Sequence, residues 1–337
     1  MSAEPGGSVL VTGAGGFVGS AVARALLANG WHVHVLVRSA ASRASLGELP
    51  VALHAGDLLD PASVASVVRA ASDAAARAGE GLSVVHCAAS ISYRRADAAL
   101  LERTNVEGTR ALLAACRAVG VRRLCHVSSV VALGPVAAPD AFLEDDAELG
   151  GLQLECRYAR TKARAEQLVA EACNGLDAVI ASPAVVFGRG RGSNSTHFLE
   201  RLARGSLGRI SPPGSVSVVG LEDTAAGIVA VLERGTRGRR YLLAESAWTL
   251  RDLMHLACRA LDRDGPRAAV PLALWRSFAG LLALADPLLR AERATPEAMR
   301  MLGLHFRFRA RRAREELGWS PKPFADVLGS IVADLRA

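Results

Sequence analysis

From residue 8 to about residue 180 the chain alternates short apolar runs with longer stretches of helical periodicity. The runs at 8–11, 32–37, 51–54, 83–86, 124–127 and 178–181 are bounded by turn-forming residues and predict strands. The stretches near 17–29, 61–78, 97–119 and 157–173 predict helices. Asp60-Pro61 is a helix start, an N-cap acceptor followed by a proline whose missing N–H costs nothing in the first turn. Strands alternating with helices predict an α/β fold, a doubly wound parallel sheet with right-handed crossovers. Ligands in such sheets sit at the carboxyl ends of the strands. After residue 181 the rhythm breaks. Residues 182–213 are rich in Gly, Ser, Arg and Pro. A strand at 215–219, a helix at 221–234, a strand at 241–243, a helix at 249–261, an apolar helical region at 271–289 and a basic helical tail follow. We therefore expect a main domain over residues 1–181, with 215–234 returning to it, and a smaller C-terminal lobe within 182–337 that covers a substrate.

Composition narrows the picture. Half of the 337 residues are apolar, enough for a sizeable core. No segment reaches the roughly 18–20 uncharged apolar residues that span a membrane; in the nearest, 268–289, Arg276 and Asp286 interrupt. The start, 1–8, is short, polar and Gly-rich and lacks the pattern of a signal peptide, so a cytoplasmic location is expected. Six scattered cysteines without a Cys-x-x-Cys pair suggest neither a zinc site nor a disulfide framework, and no metal is expected. The net charge of +7 is carried almost wholly by arginine, since Lys162 and Lys322 are the only lysines. The densest basic group is Arg307, Arg309, Arg311, Arg312 and Arg314. Acids are interleaved along the chain and aromatic residues are scarce, so a solvated helix face is favoured there over a nucleic-acid surface.

The first strand runs into a glycine cluster with Gly13, Gly16 and Gly19 spaced three apart, and an alanine-rich helix follows at once. Such a turn lets a phosphate approach the free N–H groups and dipole of a helix start, which is the signature of dinucleotide binding. The second strand ends at Arg38. About twenty residues past the glycines, a fold that binds NAD carries Asp or Glu for the ribose hydroxyls, whereas arginine suits the 2′-phosphate of NADP. Arg43 is a second candidate for that contact, and the alternative is a pair of surface arginines. Asp57, followed by Leu58, either accepts from an adenine amino group or caps a loop. Ala88 and Ala89, after the fourth strand, leave room for a cofactor backbone or for tight helix–strand packing.

The chemistry points to Tyr158-Ala-Arg-Thr-Lys162. Residues four apart share one face of a helix, and an ammonium beside a phenol lowers its pKa toward that of a useful general acid. In a chain with two lysines and three tyrosines this spacing is a specific signal. Ser128 and Ser129 close the fifth strand, where a hydroxyl either binds a substrate carbonyl or makes a strand-end turn. Asn105 and Gly108 fall inside a predicted helix that both residue types disfavour, which suggests a functional or close-packing reason.

Together these motifs resemble the extended short-chain dehydrogenase/reductase family over nearly the whole chain. Thr12-Gly13-Ala14-Gly15-Gly16-Phe17-Val18-Gly19 is similar to its cofactor loop, and Tyr158 with Lys162 to its Tyr-x-x-x-Lys pair. The resemblance makes Ser129 the catalytic hydroxyl, Asn105 a supporting or proton-relay residue and Asp57 with Leu58 an adenine contact. It puts Ala88, Ala89 and Ser128 against the cofactor, and Pro183 and Val186 beside the nicotinamide. Ser182 departs from the Arg-Pro that the family often has there. Ile91-Ser-Tyr-Arg-Arg, Asn105-Val-Glu-Gly-Thr and 313–321 resemble the dihydroflavonol reductase-like and 3β-hydroxysteroid dehydrogenase-like branch. The resemblance implies NADPH-dependent reduction of a ketone or aldehyde on a fairly apolar small molecule, with Tyr158 protonating the oxygen, and a homodimer formed through 97–119 and 157–173. Two alternatives remain: a nucleotide-sugar epimerase or dehydratase with bound NAD, against which Arg38 argues, and a non-catalytic NADP sensor, against which the Tyr–Lys pair argues.

Overall fold

The computed structural model describes residues 6–190, 194–204, 209–289 and 295–336. Residues 1–5 of the polar N-terminal stretch, and parts of the Gly-rich 182–213 segment, lie outside them. The first half runs β1 (Ser8–Thr12), α1 (Phe17–Ala28), β2 (His32–Val37), α2 (Ala40–Ala44), β3 (Ala52–Ala55), α3 (Pro61–Arg77), β4 (Leu82–His86), α4 (Ala98–Leu101), α5 (Gly108–Val119), β5 (Arg123–Val127), α6 (Arg157–Ala172) and β6 (Ala178–Pro183). The second half runs β7 (Val185–Phe187), α7 (Asn194–Ala203), β8 (Ile210–Ser211), β9 (Ser215–Gly220), α8 (Leu221–Arg234), β10 (Arg240–Leu243), β11 (Ser246–Thr249), α9 (Leu250–Ala260), β12 (Ala268–Ala269), α10 (Leu272–Leu289), α11 (Pro296–Met301), β13 (His305–Phe306), α12 (Arg311–Leu317) and α13 (Phe324–Arg336).

Seven strands form one parallel sheet in the order β3-β2-β1-β4-β5-β6-β10. The order reverses between β1 and β4, and the crevice at their carboxyl ends is where a doubly wound sheet binds its ligand. Every residue of β1, β4 and β6 is buried, which is why these strands read as continuous apolar runs. Val9, Val11, Val85, Cys125 and Val179 share one core with α1 and α8. Leu10, Val84, Leu124 and Ile180 share the other with α3 and α5.

The chain departs from the expected division after residue 181. Helix α8 packs on α1, and β10 extends the main sheet beside β6 with Tyr241, Leu242 and Leu243 fully buried. By contrast β9, the strand half of the 215–234 segment, is the hub of a smaller sheet, pairing with β7, β11 and β13. Both sheets need apolar strands, and local pattern alone does not say which sheet a strand joins.

One helical expectation is corrected. The stretch 97–119 is not one α-helix: α4 gives way to a π-helical turn over Glu102–Glu107 before α5 begins. Helix α10 is buried on one side only. Ala279 is buried on its inner face, whereas Leu274, Phe278 and Leu281 are 63, 52 and 67 % exposed. Among the described residues, no helix is long and apolar enough to cross a membrane.

Candidate active site at the carboxyl ends of the strands

The glycine loop is shaped by close backbone contacts. Gly13 has φ +73°, and a Cβ there would lie 2.6 Å from the Ala88 nitrogen. A Cβ on Gly19 would lie 2.1 Å from the Gly13 carbonyl oxygen. Gly16 differs, because its Cβ would meet only that same oxygen, at 3.2 Å. Gly16 is also the N-cap of α1, with no side-chain cap and no acidic residue in the first turn. The helix start therefore offers its N–H groups beside space that a side chain would fill, and these residues fit a dinucleotide phosphate. Phe17 packs against Gly190, where a Cβ would come within 2.6 Å of its ring, and Val18 packs partly into the core. Gly15 faces the segment after β2: the Ser45 hydroxyl donates to its carbonyl at 3.2 Å.

Arg38 follows β2 and is exposed, as is Arg43 on α2, whose N-cap is Ser39. Asp57 accepts from the Leu59 N–H at 3.0 Å, shaping the loop after β3. Leu58 is buried and touches α5: a Cβ on Gly108 would lie 2.8 Å from the Leu58 Cγ. That contact is the close-packing reason for a glycine inside a helical stretch. Ala88 is half-buried and Ala89 exposed beyond β4. Pro183 is buried at the end of β6, and Val186 is half-buried in β7. The Ser182 hydroxyl is buried without a hydrogen-bond partner among the described residues.

Helix α6 carries Tyr158 and Lys162, both buried. The Tyr158 phenol lies beside the Ser129 side chain, which accepts from the Val131 N–H at 3.4 Å. The Lys162 ammonium, 2 % exposed, donates to the Val127 carbonyl at 2.8 Å. Burial pushes the ammonium down to about 8, partly opposed by Glu166. The expected lowering of the phenol is corrected here: burial raises Tyr158 to about 12, against the pull of Ser129. Lys162 gives one of its three N–H donors to the β5 backbone. Tyr93, of the Ile91-Ser-Tyr-Arg-Arg segment, meets Tyr158 edge-on at 6.3 Å between centroids.

Asn105 sits in the π-helical turn and is 2 % exposed. Its Oδ1 accepts from the Ser90 N–H at 2.7 Å, and its Nδ2 donates to the Ser90 carbonyl and to Thr161 Oγ1, each at 3.0 Å. Thr161 in turn donates to the Tyr158 carbonyl at 3.0 Å. The Asn105 amide thus ties the loop after β4 to the helix that carries Tyr158. The Ser128 hydroxyl points the other way and donates to Glu166 at 2.5 Å.

Several residues at this site gave no signal in isolation. Glu166, 1 % exposed, stands one helical turn beyond Lys162 and pairs with Arg240 of β10, which also donates to the Asp145 and Ala147 carbonyls. The spacing Tyr158, Lys162, Glu166 was readable as one helix face, but its partner is 74 positions away. Glu297 of α11 accepts from the Arg157 N–H and guanidinium, both at 2.7 Å, and so fixes the second lobe to the first turn of α6. The basic group at 307–314 is turned to structure. Arg307 and Arg309 stack on Phe142, Arg311 pairs with Glu315, Arg312 with Asp146, and Arg314 lies over Trp319. Among the described residues no group of acidic, His or Cys side chains is placed to hold a metal.

A parallel sheet with a glycine-rich first turn and a Ser–Tyr–Lys group whose Tyr and Lys are buried defines a Rossmann-type dinucleotide enzyme. The chain belongs to the NAD dependent epimerase/dehydratase family, whose model matches residues 9–244, and so to the extended short-chain dehydrogenases/reductases. It is 32 % identical over 339 residues to sterol demethylase protein B of Methylococcus capsulatus, with 98 % of each chain covered. It is 29 % identical to the 4-hydroxy-2-methyl-3-oxo-4-farnesyl-3,4-dihydroquinoline-1-oxide ketoreductase of Stigmatella aurantiaca, covering 92 % of this chain and 91 % of that one. Among solved structures it is similar to gox2253, with a TM-score of 0.83, 29 % identity and 98 % of each chain covered. Activity of the reductase/dehydrogenase type, with an NAD(P) cofactor, follows from the family and these relatives.

Proposed function

We propose that the protein is an NADP-dependent reductase that interconverts a ketone or aldehyde and an alcohol on an apolar small molecule. The observation that carries this reading is the placement of Tyr158 on α6 beside Ser129 at the carboxyl end of β5, backed by the buried Lys162. When bound, the nicotinamide cofactor supplies hydride chemistry. Gly13, Gly15, Gly16 and the start of α1 hold its phosphates, Asp57 and Leu58 flank its adenine, and Ala88 and Ala89 line its path. Arg38 and Arg43, both exposed beyond β2, select the 2′-phosphate. Tyr158, protonated at neutral pH, is the acid toward a carbonyl oxygen. Ser129 polarises that oxygen as a neutral donor. An apolar substrate is supported by the name of the quinoline ketoreductase relative and by the apolar character of α10.

The test is Tyr158→Phe, assayed with NADPH against a panel of carbonyl compounds. The rate is expected to fall by about 10²–10⁴-fold. Near wild-type reduction would overturn the mechanism. Arg38→Glu is expected to move preference from NADPH toward NADH, read as the ratio of the two kcat/KM values. An unchanged ratio would remove Arg38 from the cofactor site.

A further inference from the structure

His86 closes β4, and nothing so far has given it a role. Its ring is buried between the mouth of the glycine loop and the π-helical turn. Nδ1 lies 2.7 Å from Thr12 Oγ1, and Nε2 lies 3.0 Å from Thr109 Oγ1. Thr109 donates its one hydroxyl proton to the Asn105 carbonyl at 2.7 Å, since a carbonyl only accepts. That hydroxyl must then accept from His86, so Nε2 carries the ring proton. Burial pushes the imidazole down to about 3, leaving the ring neutral and Nδ1 an acceptor for the Thr12 hydroxyl. The Thr12 oxygen in turn accepts from the Ala88 N–H at 3.3 Å. The neighbouring His126 ring lies 5.4 Å away, centroid to centroid, and offers no competing hydrogen bond among the described residues.

Every donor in this chain points the same way. Ala88 donates to Thr12, Thr12 to His86, His86 to Thr109 and Thr109 to the Asn105 carbonyl. The Asn105 side chain continues in the same sense, through Thr161 to the Tyr158 carbonyl. Asn105, in the π-helical turn, serves both halves. Its carbonyl takes the Thr109 hydroxyl while its amide reaches across to α6. We propose that His86, fixed as its neutral Nε2–H tautomer, is a positioning residue that locks the glycine loop to the π-helical turn and, through Asn105 and Thr161, sets the register of the Tyr158 helix against the cofactor. The link to catalysis rests on the reductase reading, whereas the link between loop and turn does not.

Two measurements on the full-length protein test this. Long-range ¹H–¹⁵N spectra of its imidazoles should show His86 as a single neutral Nε2–H form, and an Nδ1–H or mixed form would overturn the proposal. The second is a double-mutant cycle with Thr12→Val and Thr109→Val, each removing a hydroxyl from one side of His86. Each single variant should lower kcat by about tenfold and speed amide exchange at residues 105–109. If both act through His86, the double variant loses no more than the worse single one. Losses that multiply would show independent local effects and sink the coupling. Fluorescence titration with NADPH separates this from the reductase reading. A wild-type protein that neither binds NADPH nor reduces any carbonyl would remove that reading, and the His86 spectrum would still decide the tautomer.

Discussion

Two buried polar networks meet on α6, and they are built differently. Toward β4 and the π-helical turn, Thr12, His86, Thr109, Asn105 and Thr161 are joined by neutral hydrogen bonds. Toward β5, β6 and β10 stand the ionisable groups Lys162, Glu166 and Arg240, with Ser128 bridging to Glu166. A neutral group can be buried at little cost once each donor meets an acceptor. A buried charge needs an opposite charge and several hydrogen bonds, and its loss leaves a partner stranded. Arg240 accordingly has the Glu166 carboxylate and two backbone carbonyls, and Glu166 has both Arg240 and Ser128. The neutral network can therefore serve as a fixed ruler, whereas the charged one makes stability depend on pH and on each of its members.

That contrast can be broken at its strongest point with Glu166→Ala. Removing the carboxylate strands Arg240, which should lower unfolding free energy by about 3–5 kcal/mol in denaturant titrations at pH 7. A loss below about 1 kcal/mol would show that the pair contributes nothing net. The next largest effect is on pH. Lys162 has a folded pKa of about 8, below its unfolded value, so its burial opposes folding while it is charged. As pH rises from 8 toward 10.5, wild-type stability relative to Lys162→Met should rise by about 3 kcal/mol in total. A flat difference across that window would mean that the ammonium is not desolvated. Thr109→Val should cost only about 1–2 kcal/mol, the penalty of one unsatisfied donor in a neutral network. The smallest effect is expected at His126. Both of its ring nitrogens are buried without partners among the described residues. His126→Phe should gain about 1 kcal/mol at pH 7. The gain should grow at pH 5, because the folded ring resists protonation and the unfolded one does not. Destabilisation instead would reveal a partner for that ring.

The Tyr158–Lys162 spacing and the glycine triplet were legible because each depends on the regular geometry of one turn or one helix. Asn105 and Gly108 were legible only as a conflict with helix propensity. The conflict resolved into a π-helical turn and a contact with Leu58, 50 positions away in the chain. Glu166 stood in plain spacing from Lys162, but nothing local distinguishes it from a solvent-facing helix residue. Its burial comes from β10, whose return to the main sheet the local pattern does not encode. The same applies to α10, where an apolar run predicts a helix but not which side meets the core.

The sequence by itself determined the alternation of strands and helices, the glycine-rich first turn and the Tyr158–Lys162 spacing on one helix face. These arise from periodicity, backbone freedom and side-chain type over at most a few turns. Only the tertiary structure decided which strands share a sheet and which partners satisfy His86, Asn105 and Glu166. It also decided that the Tyr158 phenol is raised rather than lowered. Burial and hydrogen-bond direction are set by groups tens of residues apart, and solvation changes only when they meet.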